Sequence, residues 1–431
     1  MERNLNNFFW ILKTTGCFVV FNMVFKCQAD SYLKQYESKV VACTKVECKV
    51  ENEIGKLVKT KGYEVELEDT ILFPEGGGQP DDRGTINDVP VKRVTRKGSK
   101  ALHFVTSELS VGDTVSMEVD WKRRFDHMQQ HSGQHLITAI ADTMFGFKTT
   151  SWDLGKSISF IELDTPAVTA DQLFQIECCA NKSIREGVDV IVHVTQVGSP
   201  ILQSVRARGL PDDHVGDVRI VEMKGIDTNM CCGTHVSNLS HLQCIKLLSA
   251  EKGKKGKTNL CFLTGDRILD YAGKCYANEK ELTKQLKCGP EQHVEAVERS
   301  MKQLRVAQKN CTTLLRDVAV LEAAIFTKKF DAGSTKLLSM HRKEGNVEFM
   351  NIISNEVSDQ AFLFLTVGDE KGEGMFLISG PGNFIKECGT TLIETIVGKG
   401  QMKEFKMQGK AQKLQNREKA LAVVQEYINK L

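Results

Sequence analysis

Two short segments about a hundred residues apart carry the residue types that could do chemistry: His131-Ser132-Gly133-Gln134-His135 and Cys231-Cys232-Gly233-Thr234-His235. On a helix, positions i and i+4 share a face, so His131 and His135 can present two imidazoles to one point. Cys231 and His235 repeat the four-residue spacing with a thiolate and a third imidazole, and Cys/His3 is a donor set that Zn2+ accepts in tetrahedral array. Two histidines at this spacing are common on helix surfaces. Here, however, three of only ten histidines in 431 residues fall in these two segments. Cys231 is preferred over Cys232 as the ligand because it keeps the i, i+4 relation to His235. The pair is not the HExxH of a metalloprotease, since Ser132 stands where the general-base glutamate would be, which disfavours a zinc peptidase. Four protein ligands make a closed site, whereas a hydrolytic zinc normally keeps a position open. The residues alone leave two readings: a structural zinc module, or a hydrolase in which the metal holds substrate and water.

The elements that must position these donors are legible in the hydrophobic pattern. From about Lys39 to Asp120, short β-rich runs alternate with turns, as in a small β-barrel or sandwich. Between them lies Phe73-Pro74-Glu75-Gly76-Gly77-Gly78-Gln79-Pro80, whose glycines allow close approach to the main chain. No Gly-Lys-Ser/Thr follows, so this is not a phosphate-binding P-loop. The basic and aromatic WKRRF at 121–125 leads into the helix of His131. Strands at 150–163, an amphipathic helix at 170–187 and the runs VDVIVHVTQV and VRIVEM then deliver the chain to Cys231, making an α+β domain. Lys252, Lys254, Lys255 and Lys257 form a basic tip, a solvated hairpin turn or a meeting point for phosphates.

Residues 276–328 change character: Val294, Val297, Met301, Leu304, Cys311, Leu315 and Val318 follow 3,4 spacing between charged residues. Gln308 interrupts the seam, so a short intramolecular helical pair bent at Cys288-Gly289-Pro290 is expected, although the stretch could also pair with a second copy. A compact α/β unit follows from about Lys329, with a lysine-rich stretch from Lys399 to Lys413.

Composition bounds the class. With 41% hydrophobic and 26% charged residues, the chain is an ordinary soluble globular protein large enough for two or three domains. Fifty-seven basic against 55 acidic residues leave a net charge of +2, which excludes a uniformly basic nucleic-acid binder but not local patches. Fourteen scattered cysteines fit reduced thiols in the cytoplasm better than a secreted disulfide framework. Residues 8–25 are apolar, but Lys13, Thr14, Thr15 and Asn22 divide them into runs too short to span a bilayer. Arg3 is the only basic residue that could open a signal peptide, and no small-x-small cleavage site follows before Lys26. Met23 opens an alternative start, and the residues before it read as a dispensable extension.

The set GGGQP, HSGQH and CCGTHV, in that order, on a β-barrel followed by an α+β domain, resembles the editing domain of alanyl-tRNA synthetase and its free-standing AlaX-type relatives, in their long eukaryotic form. The resemblance runs from roughly Val24 to the C-terminus, with a DHHA1-type tail in which QGKAQK at 408–413 lacks the usual terminal glycines. It implies a multidomain α+β protein. An apolar extension at 1–23 precedes a β-barrel with a glycine-rich loop at 24–125 and a zinc-binding editing domain at 126–272 of the threonyl/alanyl-tRNA synthetase second-additional-domain type. A helical hairpin at 273–328 and a DHHA1-like α/β domain at 329–431 follow. The implied activity is hydrolysis, in trans, of the ester joining serine, and perhaps glycine, to tRNA(Ala), with no membrane partner; a non-catalytic zinc-stabilised tRNA-binding module is the alternative. Carried over by motif, His131, His135, Cys231 and His235 would hold one Zn2+. Gly76, Gly77, Gly78 and Gln79 would border the aminoacyl pocket, Thr70 would recognise the serine hydroxyl, and Gln134 would order water or the terminal ribose.

Overall fold

The computed structural model describes residues 24–51, 55–196, 199–205, 217–403 and 405–431; the apolar extension at 1–23 lies outside them. The chain divides into two compact units, Met1–Asn278 and Glu279–Leu431.

The first unit opens with a single helical turn, α1 (Lys26–Ala29), and then six strands: β1 (Gln35–Glu51), β2 (Leu57–Leu67), β3 (Gly84–Ile86), β4 (Val89–Lys97), β5 (Lys100–Val105) and β6 (Thr114–Val119). They close into an antiparallel barrel in the order β1-β2-β5-β4-β3-β6, which leaves no free sheet edge. Alternation fills it: Val115, Met117 and Val119 of β6 point inward between exposed residues and meet Val40, Val65, Ile86, Val94 and Val105. His103 is also inside, with Nε2 2.8 Å from Thr70 Oγ1 and Nδ1 3.1 Å from the Val65 carbonyl oxygen.

Asp120 ends the barrel and caps the next helix, its carboxylate accepting from the Arg123 amide at 3.2 Å. That helix, α2 (Trp121–Phe145), is buried along nearly its whole middle and ends at Gly146 in the left-handed region, φ 70°. Around it lie β7 (Thr149–Asp153), β8 (Ser159–Leu163), α3 (Ala170–Arg185), β9 (Val190–Thr195), β10 (Val218–Met223), β11 (Asp227–Met230), β12 (Ile245–Lys252) and β13 (Thr258–Thr264). The strands make a four-stranded sheet, β12-β13-β8-β7, and a three-stranded one, β11-β10-β9. Leu136, Ile137 and Ile140 of α2 pack against Ile161, Leu163, Leu260 and Phe262 from the larger sheet and Ile176 and Ala180 from α3.

Polar side chains on a buried helix must find partners. Gln130 pairs with the Thr264 backbone, donating to its carbonyl at 2.8 Å and accepting from its amide at 3.1 Å; Gln129 bridges the His241 carbonyl and the Asp266 amide in the same way. Arg124, fully buried, ties α2 to the barrel through an ion pair with Asp82 and bonds to the Ser31 and Ile71 carbonyls.

The second unit takes in the end of α4 (Asp266–Leu286) and the long α5 (His293–Asp331). β14 (Leu337–Arg342), α6 (Val347–Glu356), β15 (Phe362–Gly368), β16 (Gly374–Ser379), α7 (Phe384–Thr395), β17 (Gly398–Met402), β18 (Lys406–Ala411) and α8 (Arg417–Asn429) complete it. Its sheet runs β14-β15-β16-β18-β17, with β14 and β15 parallel and the other neighbours antiparallel. β15 is buried on both faces: Phe362 and Phe364 meet α7 and α8, while Leu363, Leu365 and Val367 meet α6 and the end of α5. The chain breaks between α4 and α5 where Cys288-Gly289-Pro290 stands. By contrast Val294, Val297, Met301 and Leu304, read from the sequence as the seam of a helical pair, are exposed. No helix among the described residues is long and apolar enough to cross a membrane.

Removing one partner of the buried Arg124–Asp82 pair leaves an uncompensated charge, so Asp82→Asn should lower unfolding free energy by about 3–5 kcal/mol in urea titrations. Burial holds the His103 pKa down to about 4, from 6.5. As pH falls below 6.5 the unfolded chain takes up a proton that the folded barrel refuses. Stability should therefore be flat above pH 6.5 and decline by roughly 3 kcal/mol towards pH 4, a decline that His103→Gln should lessen.

Candidate metal centre

α2 carries His131 and His135 one turn apart on its buried face, and the irregular segment after β11 carries Cys231 and His235. The ligand atoms of all four lie within 4.8 Å of one another. Cys231 Sγ stands 3.4 Å from His131 Nε2 and 3.2 Å from His235 Nε2. Three imidazoles and a thiol converging on one point are donors of the kind that hold a transition-metal ion.

A second layer aims them. Gln79 Oε1 accepts from the Thr234 amide at 2.9 Å and lies 2.8 Å from His131 Nδ1, while its Nε2 donates to Thr234 Oγ1 at 2.9 Å. Against that carbonyl oxygen, His131 Nδ1 must carry the proton, which leaves the Nε2 lone pair facing the cluster. Ser132 Oγ accepts from the Val236 amide at 3.1 Å and lies 3.1 Å from His235 Nδ1. The serine in the general-base position of the metalloprotease motif thus orients a histidine. Gly233 admits the approach of the two segments, since a Cβ there would overlap the His131 ring and stand 2.7 Å from Gln79 Oε1. Arg219 donates to the Cys231 carbonyl at 2.6 Å and the Gln28 carbonyl at 2.8 Å, and Gln28 donates to the Cys232 carbonyl at 2.7 Å.

Burial, with the neighbouring imidazoles adding to it, holds His131 and His235 well below the usual histidine pKa, so both stay neutral and able to ligate. Burial also pushes the Cys231 thiol up to about 12, with Cys232 adding and Arg219 opposing. A bound cation reverses that balance by ionising the thiol.

The cluster forms part of the wall of a cavity of about 670 Å³. Gly77 and Gly78 line it, in left-handed conformations (φ 57° and 83°) within a loop closed by reciprocal Gly76–Gln79 backbone bonds of 3.1 Å. A Cβ on either glycine would stand 2.6 Å from Cys232 Sγ or from the Trp152 ring, respectively. Gln134 lines the cavity too: its Nε2 donates to Thr138 Oγ1 at 2.9 Å, and its buried Oε1 has no partner among the described residues. Gly76 and Gln79 hold the loop and His131 rather than lining the cavity.

Thr70 is corrected. It lies in the barrel interior, its hydroxyl engaged by His103 and by the Leu72 amide at 3.0 Å, and is not at the cavity wall. The hydroxyl residues that do line the cavity are Thr138, Thr149, Thr150 and Ser151. Of these only Thr138 had a sequence signal, its i+4 relation to Gln134; the β7 residues are brought in by the sheet.

Residues 218–261 match the family described as the threonyl and alanyl tRNA synthetase second additional domain, and residues 17–123 match that of tRNA synthetases class II (A). The chain is 54% identical over 408 residues to an alanyl-tRNA editing protein of Xenopus laevis, covering 94% of this chain and 98% of that one. The chain belongs to the alanyl-tRNA editing protein family. A family member from Danio rerio is 53% identical over 405 residues, again covering 94% and 98%. An alanine–tRNA ligase from Metallosphaera sedula is 31% identical over 231 residues, 51% of this chain but 25% of the ligase. Cys231 and His235 fall within the first matched segment and Gln79 within the second.

His131→Ala and Cys231→Ala should each abolish retention of a metal ion, measured by elemental analysis of dialysed protein. Gln79→Ala should weaken metal affinity by about 10–100-fold.

Proposed function

We propose that the chain is a trans-acting aminoacyl-tRNA deacylase that releases serine, with glycine as a second candidate substrate, from mischarged tRNA(Ala) in the cytoplasm. One Zn2+ would be held by His131, His135, Cys231 and His235. The observation that carries this reading is the four-donor cluster, whose His135 and Cys231 line a cavity that also holds a buried acceptor, Gln134 Oε1, with no partner among the described residues. The family name printed for the relatives above supports the substrate class.

When bound, zinc supplies fixed positive charge beside the cavity and locks the two segments together. Gln134 Oε1 is placed to accept from the substrate's ammonium or hydroxyl, and Thr138, with its Oγ1 2.9 Å from Thr149 Oγ1, extends that polar wall. A site built to hydrogen-bond a hydroxyl rejects the analogue that lacks it, so serine is favoured over alanine by groups that alanine would leave unpaired. The Gly77-Gly78 backbone lets the ester lie close to the main chain. Trp152, lying against Gly78 and tilted against the His131 ring (4.8 Å between ring centroids), covers the imidazole from one side. An aminoacyl ester is intrinsically labile, so positioning can suffice without a glutamate base.

In this reading the barrel and the α+β body are the editing domain, and the sheet of the second unit is its DHHA1-like tail. The closed set of four ligands favours one second reading, a non-catalytic zinc-stabilised tRNA-binding module.

Purified protein should release serine from seryl-tRNA(Ala) and leave alanyl-tRNA(Ala) intact; binding without turnover would select the second reading. Gln134→Ala should lower kcat/KM for the seryl ester by about 10–100-fold, the loss of one hydrogen bond to a charged group, while metal content stays unchanged.

A further inference from the structure

The register of the four-stranded sheet brings the basic tip and the cavity to one end of it. Lys252 of β12 pairs with Thr258 of β13, Thr258 with Leu163 of β8, and Leu163 with Thr149 of β7. Thr149 lines the cavity and Lys252 opens the β12–β13 hairpin tip. Three strand spacings of about 4.8 Å put these two backbones about 14 Å apart, a few nucleotides of single-stranded RNA.

The tip is tightly built. Gly253 N donates to the Lys257 carbonyl at 2.8 Å and Lys257 N to the Lys254 carbonyl at 3.2 Å. Lys255 (φ 55°) and Gly256 (φ 74°) both take left-handed conformations, where Asn and Gly are the usual residues and a lysine is sterically disfavoured. Lys257 ties the base of the tip to the cavity wall: its Nζ donates to Thr150 Oγ1 at 2.9 Å and pairs with Glu162 at 2.8 Å. Lys252, Lys254 and Lys255 are exposed and have no ion-pair partner among the described residues. The acidic groups on this rim are Glu162, paired as above, Asp142, paired with Lys148, Glu251, accepting from Ser249 at 2.9 Å, and the exposed Asp164. Three exposed lysines without an ion pair among the described residues therefore stand at the tip, at the same end of the sheet as the cavity-lining Thr149.

We infer that Lys252, Lys254 and Lys255 form a phosphate clamp for the single-stranded 3′ end of the tRNA, steadying it while its terminal aminoacyl-ribose occupies the cavity. The contact is to backbone phosphate and so is independent of base sequence. The inference rests on the deacylase reading above.

The test is the triple variant Lys252→Gln/Lys254→Gln/Lys255→Gln in the full chain. Its KM for seryl-tRNA(Ala) should rise about tenfold with kcat within about twofold, and the slope of log KM against log salt should fall by about 2, at about 0.7 per single-strand phosphate contact. Hydrolysis of 3′-seryl-adenosine, which lacks those phosphates, should be unchanged. A control of equal charge, Lys45→Gln/Lys61→Gln/Lys97→Gln on the barrel, should match the wild type. An unchanged KM and salt slope would overturn the clamp, as would an equal loss in the barrel control or a loss of seryl-adenosine hydrolysis. If the wild type releases no serine, the deacylase reading fails instead. The clamp is then decided by binding of uncharged tRNA(Ala) across salt concentrations, where an unchanged slope in the triple variant overturns it.

Discussion

The first unit depends on holding three imidazoles and a thiol together in a protein interior. Buried polar groups are tolerated only when each is given a partner, and four donors facing one another offer few partners among themselves. The fold resolves this from behind: Gln79 takes the outer nitrogen of His131, Ser132 that of His235, and Arg219 anchors the Cys231 carbonyl. Each inner atom is left facing the same point. Without that second layer, burial would keep His131 and His235 neutral but leave their orientation unspecified.

The same economy explains why α2 can be buried while carrying so many polar side chains. Gln130 pairs with the backbone of Thr264 at the end of β13, Gln129 with backbone groups of His241 and Asp266, and Arg124 pairs its charge with Asp82. These bonds cross between the barrel, the helix and the sheet, so the centre is held by groups that also join the elements. Among the described residues, His127 and Gln134 are the exceptions on this helix: His127 Nδ1 and Gln134 Oε1 are buried without a partner, and of the two Gln134 lines the cavity. An unsatisfied group at a cavity wall, among many satisfied ones, marks where a ligand contributes the missing donor.

From the sequence alone, the donors were legible because i, i+4 spacing on a helix is a local geometric fact, and the economy of histidine made the pairing of His131-His135 with Cys231-His235 stand out. The alternating runs of the barrel, the helix of His131 and the helix break at Cys288-Gly289-Pro290 were legible for the same reason: period and turn chemistry act between near neighbours. What only tertiary structure decided is which side chains meet across long separations. Thr70 lies a few residues from the glycine loop yet turns into the barrel towards His103, while Thr149 and Thr150 reach the cavity because β7 is the edge of a sheet beside α2. Gln79 borders the cavity in sequence but serves His131, 52 residues away. The apolar stripe on the first half of α5 has the period of a packed seam and is exposed, since period specifies a face but not what covers it. Local patterns determine elements; packing across distant parts of the chain determines which groups share a site.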